Sequence, residues 1–191
     1  VAVESNKQFF VVMDESKSPF SDVRVRQALN MTVDRQAIVD SIYKGLAYPY
    51  EGILPVTFPG FEDPGNYAFD LDKAKALLAE AGYPDGFDVK LSFAAGSPEE
   101  EQVAILWQAA LKEIGVNITL NKLPTSAISD LVFQKNANFA MWQDAPFVPD
   151  PVFGVQLWYA SYSTAQFNKF NDPKVDEGIA TCANKVVWDE R

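Results

Sequence analysis

The stretch VKLSFAAGSPEEEQVAILWQAALKEIGVNITL, residues 89–120, decides the fold. Val89, Leu91 and Phe93 alternate with Lys90 and Ser92, the two-residue period of a strand. Ser97 then offers a side-chain oxygen to cap a helix. Pro98 occupies the first helical position, and Glu100, three residues after the serine, completes the signature of a capping box. The spacing of Val103, Leu106, Trp107, Ala110, Leu111 and Ile114 predicts one apolar face turned toward a core. Glu99, Glu100 and Glu101 suit the positive end of the helix dipole and are read as helix-stabilising, not metal-binding. Gly115 ends the helix, and Val116, Ile118 and Leu120 alternate again. Strand, helix and strand in immediate succession are the unit of which parallel sheets are built, so the fold class is α/β.

Upstream, Phe9 to Met13 reads as a strand, and the turn residues of SKSPFSD (16–22) follow it. Ser21 or Asp22 caps a helix whose apolar positions are Val25, Ala28, Leu29, Val33, Ala37, Ile38 and Ile42. Asp34 restarts it after a break near Thr32, and Gly45 stops it with Lys44 in the last turn. Arg24, Arg26 and Arg35 are read as structural ion pairs on an exposed face. Residues 47–69 form a long proline-, glycine- and aromatic-rich connection. Tyr48, Tyr50 and Glu51 are its candidates for a pocket rim, although packing of the loop onto the core is the expected reading. Asp70 caps a helix burying Leu71, Ala74, Leu77 and Leu78, and Gly82 ends it.

Downstream, Thr125 or Ser126 is expected to cap a helix reaching Lys135, and Asn138 to Trp142 to form a further strand. The stretch NFAMWQDAPFVPDPVFGVQLWY (138–159) continues from it. Its prolines are expected to block both strand and helix, so that the chain opens into a loop presenting Trp142, Asp144 and Phe147. Ligands of α/β sheets gather outside strand ends, where this loop begins. Asp172, followed by Pro173, caps the last helix.

Composition removes several function classes. The chain has 191 residues, 48% of them hydrophobic and 22% charged, the balance of one ordinary globular domain or lobe. No apolar run approaches the roughly 20 residues of a membrane helix. A net charge of −10 argues against nucleic acid as partner. There is no histidine and Cys182 is the single cysteine. Histidine-based acid–base catalysis, thiolate metal clusters and internal disulfides are thereby excluded, Cys182 is read as a packed hydrophobe, and no cofactor is indicated. The start, VAVESNKQFF, carries no signal peptide and reads as the interior of a longer protein.

Four segments together resemble the family 5 extracytoplasmic solute-binding proteins, the dipeptide, oligopeptide and nickel-binding group of ABC importers. They are PFSDVRVRQALNMTVDRQAIVDSIYKG (Pro19–Gly45), FDLDKAKALLAEAGYPDGF (Phe69–Phe87), LWQAALKEIGVNITL (Leu106–Leu120) and the PDP of residues 149–151. The resemblance implies one α/β lobe, a mixed sheet flanked by helices, of a two-lobed type II-like periplasmic binding protein. Residues 1–191 would be that lobe, with 1–18 as its hinge-side strand and the N-terminal partner lobe lying outside the sequence. It also implies a small-molecule or peptide ligand, permease subunits as partners, an extracytoplasmic location and no catalysis. Trp142 matches a tryptophan that lines the cleft in the family. Peptide-binding members carry an aspartate for the ligand's amino group two positions before the proline-aspartate-proline segment. Here that position is Phe147, with Asp144 three residues earlier, so a peptide ligand does not follow. Asp150 is read as a turn residue, and Trp158 and Tyr159 as weaker site candidates whose expected role is core packing. Two other readings remain: a glycoside hydrolase using Asp144 and Asp150, which requires both carboxylates on one cleft, and a ligand sensor feeding a chemoreceptor.

Overall fold

A computed structural model describes residues 5–65, 67–145, 148 and 150–185. Four strands, β1 (Gln8–Met13), β2 (Phe87–Ala95), β3 (Val116–Pro124) and β4 (Phe139–Asp144), lie in the order β1-β4-β2-β3. The pairs β2–β3 and β2–β4 are parallel, whereas β1 runs antiparallel to β4 with Gln8 opposite Asp144. The sheet is therefore mixed. Seven helices accompany it: α1 (Val23–Met31), α2 (Arg35–Ser41), α3 (Leu71–Glu80), α4 (Pro98–Glu113), α5 (Thr125–Phe133), α6 (Pro151–Tyr159) and α7 (Pro173–Ala183).

Strand alternation sorts the side chains into two layers. Leu91, Phe93, Val116, Ile118, Phe139 and Met141 face α1, α3 and α4. Val12, Ala94 and Ala140 face the other way, toward Ile128 and Val132 of α5 and Trp158 of α6. Phe139 anchors the first layer, stacked on Phe20 at 4.9 Å and tilted against Trp107 at 5.5 Å. The expected break between α1 and α2 has a tertiary cause. The Thr32 hydroxyl donates to the Leu29 carbonyl (2.7 Å) while accepting from the buried Trp107 indole (2.7 Å), which ties the end of α1 to α4.

A second fastener joins β1 to the segment before α7. The Asp14 side chain is fully buried and accepts from Lys169 Nζ (2.7 Å) and from the Ser16 hydroxyl (2.6 Å) and amide (3.1 Å), with Lys17 Nζ at 3.2 Å. The three arginines are paired as expected: Arg24 with Asp22, Arg26 with Glu15 and Arg35 with Glu51.

Several expectations require correction. Leu106 is 40% exposed and Ala104 takes its place inside, because the buried stripe of α4 is centred on Val103, Trp107 and Leu111. Leu106 precedes Trp107 by about 100° of helical phase, which carries it out of the stripe. Neither Thr125 nor Ser126 caps α5: Pro124 holds the cap position without a side-chain bond, and the Thr125 hydroxyl donates to the Ala95 carbonyl. The capping box at α4 is half formed. Ser97 accepts from the Glu100 amide (3.4 Å), but the Glu100 carboxylate turns inward to the Ala94 amide (3.0 Å). Finally, Pro151 starts a helix instead of preventing one, with Asp150 as its cap.

Candidate ligand-binding edge

Because β2, β3 and β4 are parallel, their carboxyl ends share one edge of the sheet, and antiparallel β1 begins there. The helix after β2 packs on one face, and those after β3 and β4 pack on the other. The loops thus part on either side of the β2 end, the arrangement that opens a crevice in α/β sheets.

Four polar side chains define this edge. Gln143 points to the α4 side and donates through Nε2 to Ser97 Oγ (3.1 Å) and to the Glu100 carboxylate. Glu100 is only 4% exposed and sits in the first turn of α4, where the helix dipole favours its charge. Asp144 is half-buried, and its Oδ1 accepts from the Ala145 amide (2.8 Å). Gln8, opposite it, donates to the Tyr50 hydroxyl and the Ile53 carbonyl, drawing the 47–69 connection across the edge. In the same connection Glu51 accepts from the Tyr67 amide (2.6 Å). Tyr50 and Glu51 are therefore loop fasteners, while Tyr48 is exposed.

The aromatic candidates lie on the opposite face. Trp142 is half-buried between Phe133 (5.5 Å) and Phe167 (6.2 Å), both edge-on. Phe10 links this group to Trp158 at 6.0 Å. Trp158 is 7% exposed and belongs to the core of the second layer. The indole nitrogens of Trp142 and Trp158 are both buried with no acceptor among the described residues. Tyr159 packs edge-on to Phe170 at 5.9 Å, and burial, aided by the Glu15 carboxylate, pushes its hydroxyl up to about 12. Trp158 and Tyr159 thus have the packing environment expected for them. Phe147 lies outside the described residues.

Asp150 caps α6, its Oδ1 accepting from the amides of Val152 (2.8 Å) and Phe153 (3.3 Å). The turn-fixing role matches expectation in mechanism, and an oxygen committed to two amides is withdrawn from any carboxylate pair with Asp144. Among the described residues no three histidine, cysteine, aspartate or glutamate side chains are grouped to hold a metal, and no helix is long and apolar enough to cross a membrane. Two shallow surface pockets, of about 280 Å³ between α6 and residues 162–164 and about 290 Å³ between the α1–α2 turn and α4, contain none of the five predicted site residues. Gln143 and Gln8 carry no signal in the sequence, and Glu100 reads there only as a capping residue. Their common feature is position at a strand end or helix start, which becomes a shared edge only once the strand order is known.

Comparison with known proteins agrees with this architecture. Residues 1–166 match the bacterial extracellular solute-binding proteins, family 5 (middle). The chain is 29% identical over 214 aligned positions to the glutathione-binding protein GsiB of Salmonella typhimurium, an alignment covering 100% of this chain and 42% of that protein. It is 38% identical over 112 positions to heme-binding protein A of Haemophilus influenzae, covering 56% of this chain and 20% of that one. Among solved structures, the dipeptide-binding protein of Pseudoalteromonas sp. SM9913 in complex with Met-Leu superposes with a TM-score of 0.90 at 26% identity, covering 98% of this chain and 39% of that one. The chain thus spans about two fifths of the length of the glutathione-binding relative. With the family match extending over most of the sequence, the chain belongs to the family 5 bacterial extracellular solute-binding proteins.

Proposed function

We propose that residues 1–191 form one lobe, with 1–18 as its hinge-side strand, of the substrate-binding component of an ABC importer. The full protein captures a small solute between this lobe and an N-terminal partner lobe, outside the cytoplasm, and delivers it to permease subunits. The observation that carries this reading is the polar edge at the ends of β2 and β4 in a chain that covers 42% of a binding-protein relative. Half a clamshell site has that form: fixed polar groups and aromatic faces without the wall that completes the enclosure. Trp142, Asp144 and Phe147 are the proposed cleft residues, with Trp158 and Tyr159 as the weaker candidates. A ligand that touches both lobes shifts the hinge equilibrium toward closure. No bond is made or broken. Relatives named for glutathione, heme and a dipeptide support a small organic solute without choosing one.

Two results test this. Calorimetry of the 191-residue lobe, checked as folded by circular dichroism, should show weak or no binding of Met-Leu or glutathione; submicromolar binding to the lobe alone would refute the two-lobe reading. In the full-length protein, Trp142→Ala should weaken solute binding by about tenfold. Because the ring fills the slot between Phe133 and Phe167, the same variant loses a few degrees of Tm. Trp142→Phe should recover most of the stability but not the affinity, and unchanged affinity in both variants removes Trp142 from the cleft.

A further inference from the structure

We infer that Gln143 determines specificity at this edge by presenting a carbonyl oxygen of fixed orientation, which selects solutes carrying an N–H or O–H donor. The inference rests on the solute-binding reading above and names a residue and a polarity within it. An amide side chain is ordinarily ambivalent, since a half-turn exchanges its donor and acceptor. Gln143 has lost that freedom. Its nitrogen faces the Glu100 carboxylate and Ser97 Oγ at 3.1 Å. An ionised carboxylate only accepts, so a flipped amide would set oxygen against oxygen beside a buried charge.

Glu100 is itself immobilised. It is 4% exposed, lies in the first turn of α4 and accepts from the Ala94 amide. With the nitrogen so engaged, Oε1 is what Gln143 can offer to a ligand. This oxygen has no hydrogen-bond partner among the described residues and is not wholly buried. Gln143 also stands next to Asp144, at the level where the loops after β2 and β4 part. Both groups accept. The first turn of α4 already carries Glu99, Glu100 and Glu101 and is capped by Ser97, which disfavours an anion there. The edge as a whole therefore favours a donor-bearing solute over a purely acceptor one. Glu100 acts on the solute only through Gln143 and is a positioning residue.

The test uses the full-length protein and four probes: the dipeptide Met-Leu, glutathione, and a form of each in which the N–H donors are methylated. Affinities are measured by calorimetry for wild type, Gln143→Lys, Gln143→Met and Glu100→Gln, with folding of each checked by thermal unfolding. Lysine keeps a donor for Glu100 and Ser97 but removes the acceptor, so folding is retained while affinity for the bound N–H probe falls about tenfold. Methionine gives the same loss if lysine fails to fold. Glu100→Gln releases the amide, so the wild-type preference for the N–H form over its methylated partner collapses while binding persists. Wild-type affinity in both Gln143 variants, or an unchanged preference in Glu100→Gln, overturns the inference and leaves the solute-binding reading standing. A wild-type protein with no preference for either N–H probe over its methylated form likewise overturns the inference and leaves the solute-binding reading standing.

Discussion

Gly86→Ala is expected to abolish stable folding of the lobe or to lower its Tm by roughly 10 °C or more. Gly86 and Gly115 cross at the starts of β2 and β3, where Phe87 pairs with Val116. A Cβ at Gly86 would lie 2.0 Å from the Gly115 carbonyl oxygen, and its φ of +77° is in the left-handed region that side chains avoid. The clash is with backbone on both sides, so no rotamer relieves it. Relief requires separating the two parallel strands at their first pair. Gly45→Ala is the internal control, because Gly45 has a similar φ of +77° with nothing within 4 Å of its added Cβ. It should show the backbone penalty alone, of order 1 kcal/mol. Equal Tm values for the two variants would show that the strand crossing is looser than described.

Asp14→Asn is expected to be the most damaging single change to a side-chain interaction, costing about 3 kcal/mol at neutral pH, or roughly 6–12 °C in Tm. The buried carboxylate holds Lys169 and the Ser16 hydroxyl and amide, with Lys17 beside them, and its removal leaves these donors without their charge. Burial on its own would raise the carboxyl pKa. The hydrogen bonds from Lys169, Ser16 and Lys17 outweigh it and hold the group at about 2. In the unfolded chain an aspartate titrates near about 3.9. The stabilisation is therefore complete above about pH 4 and is lost as pH falls through about 2. Chemical denaturation at pH 7, 4, 3 and 2 should show wild-type stability falling in that acid window and the Asn variant falling less steeply. Parallel acid profiles would mean that Asp14 is not the group responsible.

Both sites show what the chain reveals locally and what it conceals. Ser97–Pro98 and Asp172–Pro173 announce helix starts in sequence because each cap precedes a proline at the first helical position, and the structure has α4 and α7 there. Asp150–Pro151 has the same form, yet the prolines around it argue for a stop. The residues after it, Val152 to Tyr159, include apolar side chains on every side of α6, so no stripe marks them as helical. Glu100 illustrates a different limit. Its spacing from Ser97 predicts a local reciprocal bond, but the Ala94 amide and Gln143 compete for the carboxylate, and both are brought near only by the sheet. The strand order β1-β4-β2-β3 is likewise a long-range fact. It places Gln8 opposite Asp144 across 136 residues of chain, and alternation of apolar residues within each strand carries no information about it. The α/β class and the caps at Asp70, Ser97 and Asp172 were legible. The polar edge was not, because its four side chains come from three separate elements, β1, α4 and β4.

Native mass spectrometry of the full-length protein, purified without refolding beside the 191-residue lobe, tests the binding role most directly. The structure predicts a small solute retained at one copy per full-length chain, lost on mild activation, and absent from the lobe. A full-length protein that carries no solute and takes up none from a mixture of small organic molecules would contradict it, as would a lobe that retains the same solute at the same occupancy.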